Sequence, residues 1–439
     1  MRDILITVIV FGSLPFILRR PFFGVMMWTW LGLMSPHRLA WGFSVNFPFA
    51  LIVFITTVIA YAFSKEPKQV PGSREITVLV IMLVWMLLTT QFAWFPNPAF
   101  EQWSKVWRIQ LGILITLMLT NSAYRIHLLV WTIVVSLGFY GFKGGIWTIL
   151  SGGANRVYGP DGSFIAGNNE LGLALNMIVP LIWYLATRAN RIWIRNGLYA
   201  GIFFTLVAIV GTHSRGALVG IVCMGTMFVL KSRHRVLPIL IALLFMFLLP
   251  QIMPQEWWNR MSTIIAPEGK RDESATNRID AWNRAIAIAD SNIVGGGFRV
   301  LVYDNGVDAH SVYFQLLAEH GYIGLGLFLL MSVMTWMKAS SIRRQVKGRE
   351  ELRWASDLAA MIQTSMVGYA SSGAFLGLAY FDLYYILIAL VVVLDKIVRA
   401  APVGVRANDP RRLVPQARPL APFNGPHGQH GVATRTFGA

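Results

Sequence analysis

Runs of about twenty apolar residues recur from one end of this 439-residue chain to the other. A hydrocarbon core roughly 30 Å thick takes about 20 apolar residues to cross as a helix, and a helix satisfies its own backbone polar groups on the way. Barrel strands would be shorter and would alternate apolar with polar positions. The composition agrees: 55% of residues are hydrophobic and 13% charged, against roughly 25% charged in a soluble domain, and mean hydropathy is +0.55. The chain reads as an all-α polytopic integral membrane protein.

Two short apolar runs, Ile4–Leu18 and Phe22–Met34, flank Arg19-Arg20-Pro21. They read either as two tilted helices or as one interrupted crossing. Clearer spans follow at about 46–63, 76–94, 106–120, 127–143, 170–186, 197–212, 215–230, 236–253, 311–337, 355–373 and 379–398, so about twelve transmembrane helices are expected. The organisation is an amino-terminal bundle (1–253), one large polar loop (254–310), carboxyl-terminal helices (311–400) and a basic tail (401–439). That tail, rich in Pro, Arg, Gly and Ala without periodicity, reads as disordered. No A-x-A-like site follows Met1-Arg2-Asp3, so no cleavable signal peptide is expected. The single cysteine, Cys223, excludes an internal disulfide framework.

Lys and Arg outnumber Asp and Glu 38 to 21, a net charge of +17. The excess sits in short loops and in the tail, the pattern of cytoplasmic loops, so no nucleic-acid partner is implied. With Ser64–Lys68, Arg188–Arg195, Lys231–Arg235, Ile342–Lys347 and the tail all placed inside, the parity of the spans is consistent. Segments 95–104, 144–169, 211–215 and 254–309 then face outward.

The outward loop from about Gln251 to His310 is the one long hydrophilic interval. Loops on a rigid scaffold are where function concentrates. It holds a mixed-charge run (Glu268, Lys270, Arg271, Asp272, Glu273), then a helical stretch from Asn277, with Asn277 as its expected cap. On that helix Arg278, Trp282, Ala285 and Ala289 share a face. The small residues allow close packing that would aim Arg278 inward; a solvated surface arginine is the plainer reading. Gly295-Gly296-Gly297 has no P-loop lysine beside it and reads as a flexible turn. His310 stands where the loop re-enters the bundle, and histidine is the side chain suited to take a proton near neutral pH. No His or Cys spacing points to a metal site, and no cofactor is expected.

Other cations lie at the same expected face. Arg215 opens a span directly after His213-Ser214, a costly place for an arginine without an anionic partner. Its guanidinium matches a diphosphate bidentately. Lys105 and Arg108 add charge at the head of another span, and interfacial anchoring is the alternative for all three. The Gly- and Asn-rich segment 144–169, with Arg156 and Asn168-Asn169, could cover a site or bind sugar through its amides.

These residues also form a pattern. His310-Ser311, nine residues, then Gly321-Tyr322-Ile323-Gly324 resembles the signature of the O-antigen ligase family. Gly167-Asn168-Asn169-Glu170-Leu171, Ser214-Arg215-Gly216-Ala217, and Arg278…Trp282…Ala285 before Gly295–Gly297 are similar to further elements of the ligase and polymerase superfamily. The resemblance runs from about residue 70 to 398. It implies a GT-C-like glycosyltransferase of a Gram-negative inner membrane, with its active site in one large periplasmic loop that contains helices. Its partners would be undecaprenyl-diphosphate-linked O-antigen, a lipid A–core acceptor and membrane lipids, and the chain is expected as a monomer. By the same resemblance His310 is the general base of a metal-independent inverting displacement, and Arg215 and Arg278 bind the donor diphosphate, with Arg108 and Lys105 adding charge. His213, Trp282, Asn168, Asn169 and Arg156 would support the site. The residues Met1-Arg2-Asp3, Arg19-Arg20-Pro21 and Pro36-His37-Arg38 resemble a branch of O-glycosylation ligases found in exosortase-containing bacteria, which leaves the acceptor open. An O-antigen polymerase and a protein O-oligosaccharyltransferase use the same donor. A lipid-linked glycan flippase is the non-enzyme alternative, but transporters break helices and place ionisable groups at the membrane midplane.

Overall fold

Helices built from those apolar runs dominate the computed structural model, which describes residues 1–231, 236–262 and 273–401. Most of the mixed-charge run, the Lys231–Arg235 loop beyond Lys231, and the basic tail from residue 402 lie outside the described residues. Residues 1–401 form one compact unit. Its first helices are α1 (Arg2–Arg19), α2 (Phe22–Met34), α3 (Phe49–Phe63), α4 (Arg74–Gln91), α5 (Pro96–Leu119) and α6 (Ala123–Leu150). Then come α7 (Asn168–Arg188), α8 (Ile192–Gly211), α9 (Arg215–Lys231) and α10 (Val236–Ile252). Three helices of the polar loop follow, α11 (Gln255–Ser262), α12 (Glu273–Ser291) and α13 (Val300–Asn305), before α14 (Val312–Gln345), α15 (Arg353–Gly373) and α16 (Asp382–Ala400).

Local chemistry sets many of the boundaries. Ser73 and Ser122 cap α4 and α6, each hydroxyl accepting a backbone N–H in the first turn. Pro96 starts α5, where a missing N–H costs nothing. At the amino terminus the two-helix alternative holds: α1 stops before Arg20-Pro21 and α2 begins after them. Asn277 is not a cap, because Glu273–Thr276 are already helical and put it in the second turn of α12.

Among the described residues five helices are long and apolar enough to cross a membrane: α4, α6, α7, α8 and α14. The core is built around α7, whose residues from Leu171 to Ala186 are all buried. It packs against α6, α8, α9 and α15, while α16 is enclosed by α5, α14 and α15. Close approach of α6 to α8 depends on small residues. Side chains at Gly145 and Gly211 would strike the Phe204 carbonyl and Thr148. Buried polar groups are paired across helices too: Asn176 on α7 donates to the Ala217 carbonyl of α9 at 2.9 Å and to Ser372 of α15 at 3.1 Å.

The connections gather at two ends. At one, Val157 N donates to Gly211 O at 2.9 Å, Trp257 to Val210 O at 3.2 Å, and Trp94 N to Gly296 O at 3.0 Å. The 151–167 and 212–214 segments and α11 meet at this end, as do the 92–95 turn and the 292–299 stretch. At the other, Arg125 pairs with Glu66 and Arg188 with Asp357, and Lys338 joins Glu75 at 2.7 Å and Asp395 at 3.6 Å.

Candidate active site

The site is organised by a break in α14. Gly321 has φ 66° and ψ −172° inside the helix, a conformation that strains any residue with a Cβ. Carbonyls just before the break lose their partners in the next turn and are met from outside. Gly296 N donates to Ala318 O at 2.8 Å, Gly297 N to Glu319 O at 3.0 Å, and the Trp85 indole to His320 O at 2.9 Å. The glycines can reach because they are bare: a Cβ on Gly295 would stand 2.7 Å from Gly321 N and 2.8 Å from Ala318 O. The triple glycine is thus no flexible turn but a packed strap that completes the hydrogen bonding of a broken helix.

That strap fixes the segment leading to His310. Trp282 on α12 donates its indole N–H to Ala309 O at 2.9 Å and stacks on Phe314, ring centroids 4.8 Å apart and 10° from parallel. Ala285, Ile288 and Ala289 on the same helix are buried. The helix face expected from sequence is therefore a packed face, with Arg278 half-buried at its upper end. Asp308 is held from the far side, where a Cβ on Gly377 would lie 3.2 Å from both carboxylate oxygens. Between these contacts His310 adopts a left-handed backbone, φ 45°. Its imidazole is half-buried and its pKa falls below the ordinary histidine value, because burial outweighs the Asp308 carboxylate and Arg278 adds to the fall. That direction favours the uncharged imidazole at neutral pH.

Arg215 is the first residue of α9 and is half-buried. Its neighbour Gly216 abuts Phe375, in the same 374–381 loop whose Gly377 backs Asp308. One loop thus lies against both the Arg215 helix end and the His310 segment. Glu170 on α7 is close enough to Asp308 for their charges to interact.

The supporting residues separate into structural and peripheral groups. Asn168 donates to Thr212 O at 2.8 Å, tying the head of α7 to the turn before α9. His213, buried and at φ 56°, meets Gly153 O through Nε2 at 2.9 Å. Burial lowers its pKa, and Arg156 and Arg260 contribute to the fall. Asn169 is half-buried beside Asn168 and Arg156 is exposed. Lys105 and Arg108 line a separate cleft of about 630 Å³ between α4 and α5. There Lys105 pairs with Glu101 at 2.7 Å and Arg108 bonds Ser104. Phe298, next to the glycine strap, faces Trp103 of α5 with ring centroids 6.5 Å apart, so α5 also borders the polar loop.

Sequence reasoning did not single out a buried chain behind the strap. Glu319 accepts from Arg299 N at 2.8 Å and from the Tyr380 hydroxyl. His320 bonds the Tyr380 hydroxyl through Nε2 at 2.8 Å and the Thr89 hydroxyl through Nδ1 at 2.7 Å. An adjacent Glu-His pair inside an apolar run was the available signal. Among the described residues no three His, Cys, Asp or Glu side chains gather as a metal-holding group.

Comparison with known families divides the chain in two. Residues 1–190 match a family of unknown function (DUF5935), which takes in Lys105, Arg108, Arg156, Asn168 and Asn169. Residues 200–329 match the family described as O-Antigen ligase, which takes in His213, Arg215, Arg278, Trp282, His310 and the kink at Gly321. No curated protein matches the chain. The match over residues 200–329 covers under a third of the chain and makes that stretch similar to the O-antigen ligase superfamily.

Proposed function

We propose that this protein transfers glycan from undecaprenyl diphosphate to a hydroxyl of lipid A–core, at the periplasmic face of an inner membrane. The observation that carries the reading is His310: a half-buried imidazole just before α14, acted on by the opposed charges of Asp308 and Arg278, its pKa lowered by burial. In this reading the acceptor O–H gives its proton to His310 as its oxygen attacks the anomeric carbon. The bond from that carbon to the diphosphate breaks, and undecaprenyl diphosphate leaves with the electron pair. One displacement inverts the anomeric centre. Arg215 and Arg278 hold the diphosphate and stabilise the charge it gains, often the largest catalytic contribution. Base catalysis adds roughly 10²–10⁴-fold. The rest comes from holding two lipid-anchored substrates together.

The test is a transfer assay with lipid-linked O-antigen and lipid A–core, comparing the parent with His310→Ala and Arg215→Ala. Transfer by the parent and loss in both folded variants is expected. Chain growth or glycosylated protein in place of modified lipid A–core would move the acceptor to that of a polymerase or a protein oligosaccharyltransferase. Full activity in His310→Ala would remove His310 as the base. Loss of donor translocation in place of transfer would favour the flippase alternative.

A further inference from the structure

A second polar cavity, of about 870 Å³, lies at the opposite end of the bundle between α7, α9, α14 and α15. The 34 residues of α14, bent at Gly321, separate it from His310, at most roughly 50 Å along the helix at about 1.5 Å per residue. Six Lys and Arg side chains line it against two carboxylates. Both carboxylates are engaged, Asp357 by Arg188 and Glu350 by Arg353 at 3.3 Å, and Arg349 pairs with Glu351 at 3.3 Å.

Lys231, Arg343 and Lys347 remain, and none of them makes an ion pair among the described residues, although Asp357 is near enough to Arg343 for their charges to attract. Lys231 has only neutral partners: it donates to Gln363 at 3.1 Å and lies 5.1 Å from the Trp336 ring centroid. Lys231 and Arg343 are close enough to repel each other. Like charges held together at a half-buried wall are relieved by an anion, and a guanidinium beside ammonium groups suits phosphate oxygens. The cavity also has an apolar flank, since Leu230, next to Lys231, is 61% exposed. Basic pockets between membrane helices take anionic headgroups in this way.

We propose that this cavity binds a phosphate-bearing anion through Lys231, Arg343 and Lys347, with the headgroup of an anionic lipid as the source its apolar flank favours. The inference stands apart from the transfer reaction. It is tested on the full chain in phosphatidylcholine nanodiscs, with and without phosphatidylglycerol, by counting retained phosphatidylglycerol with native mass spectrometry. Inorganic phosphate is added in a second arm and the melting temperature read. Retention by the parent, a fall of about tenfold in Arg343→Gln/Lys347→Gln, and no fall in Lys65→Gln are expected. The single variant Lys347→Gln, at an exposed position, gives an intermediate loss even where Arg343→Gln impairs folding. Stabilisation of the parent alone by inorganic phosphate, without lipid retention, would keep the site and make its ligand soluble. Equal retention in parent and double variant with no phosphate effect would overturn the proposal, as would an equal fall in Lys65→Gln.

Discussion

The Trp282 indole donates to the Ala309 carbonyl at 2.9 Å, one residue before His310. The same ring stacks on Phe314, in the first turn of α14. One side chain of the polar loop therefore fixes the backbone on both sides of the proposed base. Trp282→Phe keeps the stack and loses the hydrogen bond, a change of about 1 kcal/mol in the positioning of that segment. A fall in kcat of roughly fivefold with little change in melting temperature is expected. Trp282→Ala loses both contacts and is expected to lower kcat and melting temperature together. Unchanged kcat in both variants would mean that this contact does not orient His310.

The charges around His310 give a pH prediction with a definite sign. A base works when deprotonated, so activity falls as pH drops through its pKa. Burial holds that pKa below the usual value, which places the acidic limb below about 6.5. Asp308 raises it, so Asp308→Asn is expected to move the limb to still lower pH. Arg278 lowers it, so Arg278→Gln is expected to move the limb upward. Profiles of kcat/KM against pH measure both. Shifts in the same direction for the two variants would contradict His310 as the titrating group.

Much of this architecture was legible because bilayer thickness writes itself into the length of apolar runs. The eleven clearer spans each overlap one of α3–α10 and α14–α16. Arg278, Trp282 and the small residues beside them were legible as one face because helical spacing is local. Long-range contacts were not. The role of Gly295–Gly297 depends on Gly321, which no local pattern joins to it. The cap assigned to Asn277 failed for the opposite reason, a local rule applied one turn too late, since helix continues back to Glu273. Glu319 and His320 were hidden by the apolar run around them, and Tyr380, their partner, comes from a loop 61 and 60 positions away.

Lys105 and Arg108 test how far the site extends. They lie in their own cleft on α5, with Lys105 paired to Glu101. If they gather the anionic donor without touching the reacting atoms, Lys105→Gln/Arg108→Gln should raise the donor KM several-fold and leave kcat near the parent. The effect should weaken at high salt, because exposed charges are screened within roughly 10 Å at 0.1 M. An equal fall in kcat would bring them into the transition state, and no effect at all would reduce them to interfacial anchors.

The break in α14 makes the final prediction, with Gly326 as the unstrained comparison. Gly321→Ala puts a Cβ on a residue at φ 66°, which costs on the order of 1–2 kcal/mol before any clash is counted. A clash adds to this, because that Cβ would stand 2.4 Å from the Ile293 carbonyl oxygen; Gly295→Ala, at φ 70°, has the same two penalties, its Cβ meeting the backbone at Ala318 and Gly321. Gly326, one turn beyond the break, has nothing within 4 Å of an added Cβ. There an alanine should be neutral or stabilising by up to about 1 kcal/mol, through helix propensity. Thermal unfolding of the three variants in the same lipid is expected to place Gly326→Ala at or above the parent and the other two well below it. If the break exists to hold the His310 segment, Gly321→Ala and Gly295→Ala should also lose transfer at temperatures where they remain folded. Gly321→Ala melting with the parent would mean that the helix can run straight through the break, and the strap of glycines would then have nothing to complete.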